Sequence, residues 1–275
     1  MGNDSYGGFD DDQNRNNNGS QYYYNNYASN DSSADNSYGN GYDAGTFRAS
    51  SNAAVSLREQ AVLVKSLGFM AIALLISAVV AFVGHAWAMS SVEHMYSYAT
   101  MLVPALVLEL VVYFLALWAM KKDNQTMSII GYVGYSVMSG FTLSVIFFTY
   151  SLGSITGIFV ITALMFAAMA VYGYVTKADL RPLGSFFAMS LIGVIGVGIM
   201  NFFIKSTSID NLIAVFGVVV FAGITAYDIQ RLKEANVTYA DRSENVVAMY
   251  GGLMLYLDFI NLFLKLLRLF GKSRD

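Results

Sequence analysis

The chain has 275 residues, 56% of them hydrophobic and 13% charged, with a formal net charge of −3 and no cysteine. An average soluble domain carries roughly 25% charged residues, so this balance excludes a soluble enzyme of ordinary kind, and the missing cysteine excludes disulfides, thiol nucleophiles and thiolate metal sites. Two histidines, His85 and His94, are too few for most zinc chemistry, and the net charge leaves no basic footprint for nucleic acid.

Residues 1–52 hold eleven Asn, seven Tyr and no Leu, Ile or Val, with seven Asp against two Arg. So little aliphatic surface cannot offset the entropy of ordering a chain. This stretch is expected to be a disordered, acidic, low-complexity tail, with residues 53–275 forming the folded body. The functional reading of the tail is a handle for a partner or a protease. The first apolar run begins only after residue 65, so no secretory signal peptide is expected.

A membrane-crossing helix needs about 20 mostly apolar residues. Seven stretches qualify: Leu67–Trp87, Ala99–Met120, Met127–Thr149, Ile155–Val175, Leu183–Ile204, Asn211–Gln230 and Gly251–Phe270. The intervals between them are short, polar and charged, as in KKDNQ at 121–125 and TKADLRP at 176–182. Open strands leave backbone groups unsatisfied in lipid, and barrel strands would alternate. The body is therefore predicted to be an all-α polytopic bundle. Glycines in the third stretch (Gly131, Gly134, Gly140) and the fifth (Gly193, Gly196, Gly198) are read as helix-packing positions. No GxxxxGK[ST] phosphate loop is present.

Ten basic residues flank one set of span ends: Arg48, Arg58, Lys65, Lys121, Lys122, Lys177, Arg181, Arg231, Lys233 and Arg242. The other three loops hold only Lys205. By the positive-inside rule the N-terminus is cytoplasmic. Lys265, Arg268, Lys272 and Arg274 break the pattern if the last helix crosses. Either that helix does not cross completely, or its basic face is buried in the bundle.

Ionisable residues inside spans are costly and each invites a functional hypothesis. The seventh stretch reads GGLMLYLDFINLFLKLLRLF. At 100° per residue, Asp258, Asn261, Lys265 and Arg268 share a stripe about 80° wide, between leucine, phenylalanine and isoleucine faces. Lipid would reject that stripe, so the helix should sit inside the bundle and aim it at polar groups. Lys265 and Arg268 lie close enough to the end to snorkel; Asp258 does not. Asp228 lies in ITAYDIQRLK and matches the depth of Asp258 only if the last span starts late, at a Gly251–Gly252 break. Glu109, midway along the second stretch, needs a partner, and Arg268 is the natural one, with Lys265 as another. His85 reads as interfacial rather than as a ligand.

Seven spans, AYDIQRLK closing the sixth and LYLDFINLFLKLLRLFG forming the seventh resemble the Bax inhibitor-1 family over about residues 55–271. The resemblance implies a seven-helix fold with the last helix central and wrapped by the other six. It implies a pH-sensitive calcium leak and, for animal members, suppression of cell death. It places an acidic pair on Asp228 and Asp258 and an interhelical ion pair on Glu109 and Arg268. It also implies a basic latch late in the second helix that pairs with the sixth-helix Asp; Lys121 is the nearest candidate.

Two carboxylates in a confined, poorly hydrated site cannot both ionise freely. The pair is then a proton switch without histidine, and when ionised it attracts a divalent cation. Calcium takes 6–8 oxygens and two carboxylates offer at most four, so binding should be weak, which suits transit rather than storage. The expected function is a pH-sensitive calcium or cation leak, not an enzyme, with calcium and protons as transported partners and no bound cofactor. The alternative is a non-conducting regulator of a membrane protease or another membrane protein. A remote alternative is an intramembrane aspartyl protease: Tyr227–Asp228 fits its first motif, but Leu-Tyr-Leu-Asp replaces its Gly-x-Gly-Asp and no proline follows. The expected location is a bacterial cytoplasmic membrane.

Overall fold

A computed structural model describes residues 44–234 and 241–274, with side chains from residue 60 onward. Among these residues seven helices are long and apolar enough to cross a membrane. Spans one to four are Gln60–Ala88, Val92–Lys121, Gln125–Thr149 and Leu152–Val175. Spans five to seven are Leu183–Ile204, Thr207–Lys233 and Glu244–Phe270. The all-α, seven-span architecture is as the sequence predicts. The first helix runs Ala44–Ala88, so residues 44–52, assigned above to the tail, have helical backbone. The rest of that tail lies outside the described residues.

Several helices begin earlier than hydropathy suggests, because a polar residue can start a helix outside the hydrocarbon. Ser91 accepts a hydrogen bond from the His94 amide at 3.1 Å and opens span two. Asn124 does the same for the Met127 amide at 3.0 Å and opens span three. Span three then breaks after Leu143 and resumes as a short helix, Ile146–Thr149. The largest correction concerns span seven. It starts at Glu244 and runs unbroken to Phe270, so Gly251–Gly252 is no boundary.

Those glycines serve close packing instead. A Cβ on Gly251 would lie 2.5 Å from Ser66 Oγ and 2.6 Å from Leu232 Cδ2, and one on Gly252 would lie 2.6 Å from Phe69 Cβ. Gly131 and Gly140 in span three are equally tight, against Ala116 and Ser77. The expectation fails in span five, where Gly193, Gly196 and Gly198 meet nothing within 4 Å. Only 6% of the apolar window of span five is buried, and the span packs on span six.

Span seven is the centre: 72% of its window is buried, against 50% for span six. Leu255, Phe259, Leu262 and Phe263 pack with Ile155, Ile158 and Phe166 of span four and Ile229 of span six. On its other side Met249, Leu253 and Tyr256 meet Ala73, Met120, Tyr132 and Tyr135 of spans one to three. The outer faces remain apolar, with Leu75, Leu110, Phe114, Leu164, Ile192 and Phe203 all exposed. That is the inverse of a water-facing surface and suits a lipid one. Two buried threonines satisfy their hydroxyls within their own helices: Thr162 Oγ1 donates to the Ile158 carbonyl at 2.7 Å and Thr225 Oγ1 to Phe221 at 2.8 Å.

The question of whether the last helix crosses is answered by its end. Beyond Phe270 the chain pairs with the connection between spans three and four: Ser151 N donates to the Lys272 carbonyl at 3.1 Å, and Arg274 N to Thr149 at 3.0 Å. Arg274 Nη1 also donates to the Phe147 carbonyl at 2.9 Å and lies 3.1 Å from His85 Nε2. Span seven therefore reaches the end of the bundle that holds the loops poor in basic residues, and Arg274 finds its partners there.

Candidate functional site

Asp228 lies in the last two turns of span six and Asp258 just past the middle of span seven. Each is 5% exposed. The two side chains lie close enough for each to act on the other electrostatically. A carboxyl–carboxyl hydrogen bond needs a proton between two groups that otherwise only accept. The buried Oδ2 of Asp258 has no hydrogen-bond partner among the described residues. Around them the same two helices contribute Ile229, Leu255, Phe259 and Leu262 to an apolar cluster, so repulsion between the acids is weakly screened. The basic charge acting on Asp228 is Arg231, three residues further along its own helix. The meeting of the two acids does not need a late start to span seven, because the helices bring them together with that span running from Glu244.

The polar stripe of span seven faces span six along its length. The stem of Lys265 covers Gly217, where a Cβ would stand 3.1 Å from Lys265 Cγ, Cδ and Cε. Arg268 Nη2 pairs with Asp210 Oδ2 at 2.7 Å. Asn261 turns inward on itself, donating from Nδ2 to the Leu257 carbonyl at 2.8 Å. The stripe was legible in the sequence; its receiving surface was not.

Two expected partnerships are replaced. Arg268 pairs with Asp210 and not with Glu109, because it lies ten residues, about 15 Å, beyond Asp258, close to the end of the helix. Glu109 sits mid-span and accepts from Thr142 Oγ1 at 2.8 Å. Its charge acts on Tyr135 and Tyr256. Tyr256, fully buried, donates to Ser139 Oγ at 2.9 Å and lies 2.8 Å from Ser77 Oγ. Glu109 thus belongs to a hydroxyl cluster between spans one, two, three and seven. Lys121 is exposed at the end of span two and borders a cavity with Arg242; Arg231, not Lys121, supplies the charge near Asp228. His85 packs against Phe147 and Phe148, in keeping with a structural role.

Three polar residues with clear work were not singled out by the sequence. Asp210, in the first turn of span six, holds Arg268 and also accepts from Asn201 Nδ2. Gln230 clamps the loop between spans four and five: its Oε1 accepts from Leu180 N at 2.8 Å and its Nε2 donates to the Ala178 carbonyl at 2.8 Å. Asp123 accepts from the Ser243 amide at 3.2 Å through both oxygens, tying loop two–three to the start of span seven. Asp210 and Asp123 lie in polar intervals that read as solvated loops, and Gln230 carries no charge to draw attention.

Among the described residues no third acidic or histidine ligand joins Asp228 and Asp258 to make a metal cluster. The pair can hold and release a proton, and when ionised it can attract a cation whose remaining ligands must come from carbonyls or water.

Residues 59–275 match the sequence model of a family described as inhibitor of apoptosis-promoting Bax1. The chain is 38% identical over 210 residues to the inner membrane protein YbhL of Escherichia coli K12, covering 75% of this chain and 89% of that one. It is 38% identical over 219 residues to an uncharacterized protein of Borreliella burgdorferi, covering 78% and 92%. An uncharacterized membrane protein of Streptococcus pyogenes is 36% identical over 169 residues, covering 62% and 73%.

Proposed function

The chain belongs to the Bax inhibitor-1 family, and from that membership we propose that it is a pH-sensitive leak for calcium or a similar cation, gated by Asp228 and Asp258. The observation that carries this reading is the burial of two carboxylates, each acting on the other, where spans six and seven pack together. Sharing a proton keeps them together; losing it leaves two like charges that repel in an apolar setting. Separation then moves span six against the central helix and exposes oxygens to a passing cation. We read the protein as a conductor and not an enzyme, since Asp258 follows Leu-Tyr-Leu and not the Gly-x-Gly of an aspartyl protease. We place it in the bacterial cytoplasmic membrane with the basic end of the bundle, and hence the N-terminus, in the cytoplasm.

Calcium flux into liposomes holding the purified protein tests this. Flux that varies with pH, and loses that variation in both Asp228→Asn and Asp258→Asn, is the expected result. No wild-type flux at any pH overturns the leak and favours a regulator of another membrane protein. Cleavage of a helical peptide, lost in either variant, would instead make the pair a protease centre.

A further inference from the structure

The polar groups between spans six and seven follow one another in a fixed order. Nearest the rim with few basic loop residues stands the Arg268–Asp210 pair, at 2.7 Å. Next comes Lys265, whose stem lies over Gly217. Asn261 follows, and then Asp258 with Asp228. Along the axis of span seven, Lys265 stands about 5 Å inward of Arg268 and about 10 Å from Asp258. We propose that Lys265 is the charge filter of the leak described above, a fixed cation between that rim and the acid pair that holds back divalent ions more strongly than monovalent ones.

The balance of charge supports the filter. Among the described residues the acid that acts on Lys265 is Asp210, and Asp210 is also the partner of Arg268. Two cations therefore share one acid, which leaves one positive charge at this level of the interface. The next acids are Asp258 and Asp228, about two turns deeper.

Packing holds that charge in place. Gly217 is buried, and a Cβ there would stand 3.1 Å from Cγ, Cδ and Cε of Lys265. The glycine leaves a seat for the stem against span six, so the lysine lies between the two helices and not free on a lipid face. A cation that approaches the acids from this rim, along the interface that separation of the pair opens, passes Lys265 first. Repulsion grows in proportion to the charge of the moving ion. About 4 Å from a unit charge in a water-filled passage, a monovalent cation is disfavoured about fivefold and a divalent one about 25-fold. The acids attract calcium while the lysine slows its approach, which limits the leak.

The filter rests on the leak reading, and bilayer recordings of the full chain separate the two. With calcium on one side and potassium on the other, the reversal potential gives the ratio of the two permeabilities. Lys265→Met, similar in length and uncharged, should raise the calcium-to-potassium ratio about fivefold, and Lys265→Gln should do the same. Lys265→Arg should keep the wild-type ratio. A substitution that only loosened the packing would raise both permeabilities and leave their ratio alone. A ratio unchanged in Lys265→Met and Lys265→Gln, with wild-type current present, overturns the filter and leaves the leak standing. Absence of wild-type current for either ion removes the leak and the filter with it.

Discussion

At the scale of single residues, two pairings separate this molecule from what family likeness implies, and one of them can be measured directly. Arg268 is bound to Asp210, with side chains 42% and 43% exposed, and Glu109 is bound to Thr142. A double-mutant cycle on unfolding of the purified protein should give a coupling of about 0.2–1 kcal/mol for Asp210 with Arg268, the range of exposed ion pairs. The same cycle for Glu109 with Arg268 should give none; coupling there and not at Asp210 would show that the pairing is wrong. Gln230 carries a larger expected effect. Gln230→Ala strands the buried Leu180 amide, at about 1–3 kcal/mol for a buried group left unpaired, while the Ala178 carbonyl, on an exposed residue, can turn to water. Gln230→Glu retains the acceptor for Leu180 and should lose less, as read by thermal unfolding in detergent. The sequence announced Asp228 and Asp258 because a charge within an apolar run is conspicuous. It did not announce Asp210 or Gln230, because a helix-end acid and an uncharged amide are conspicuous only once their neighbours are known.

At the scale of elements, hydropathy located all seven helices and misjudged where some of them start. It reports the slab of chain that lipid can accept, whereas a helix ends where its caps and packing end it. Spans two and seven each begin seven residues before their apolar stretch, at Val92 and Glu244, and the helix of span one begins far earlier, at Ala44. The paired glycines of span seven misled for the same reason: glycine marks either a break or a close approach, and only the neighbouring helix decides. Gly251→Ala and Gly252→Ala should each destabilise by about 1–3 kcal/mol, since the added methyl overlaps Ser66, Leu232 or Phe69. Gly193→Ala and Gly196→Ala in span five, with nothing near their Cβ positions, should be neutral or stabilising by up to about 1 kcal/mol. Unfolding midpoints that fail to separate the two pairs would refute this account of span packing.

At the scale of the whole molecule, the arrangement of ends can be read chemically because the chain has no cysteine of its own. Single cysteines at Lys122, Lys177, Lys205 and Ser273, treated with an impermeant maleimide in sealed vesicles, should fall into two classes. Lys205→Cys and Ser273→Cys should label from one side, Lys122→Cys and Lys177→Cys from the other. Ser273→Cys labelling with Lys177→Cys would mean that the last helix does not traverse. That helix, 27 residues without interruption, is about 40 Å long. It is fastened near one rim by the Ser243–Asp123 bond and near the other by the Arg268–Asp210 pair. A rod with no joint cannot absorb a displacement locally. Under the gating proposed above, a displacement at Asp258 is carried along the rod to both its ends, so the two rims register the protonation state together, as a piston moves at both its ends.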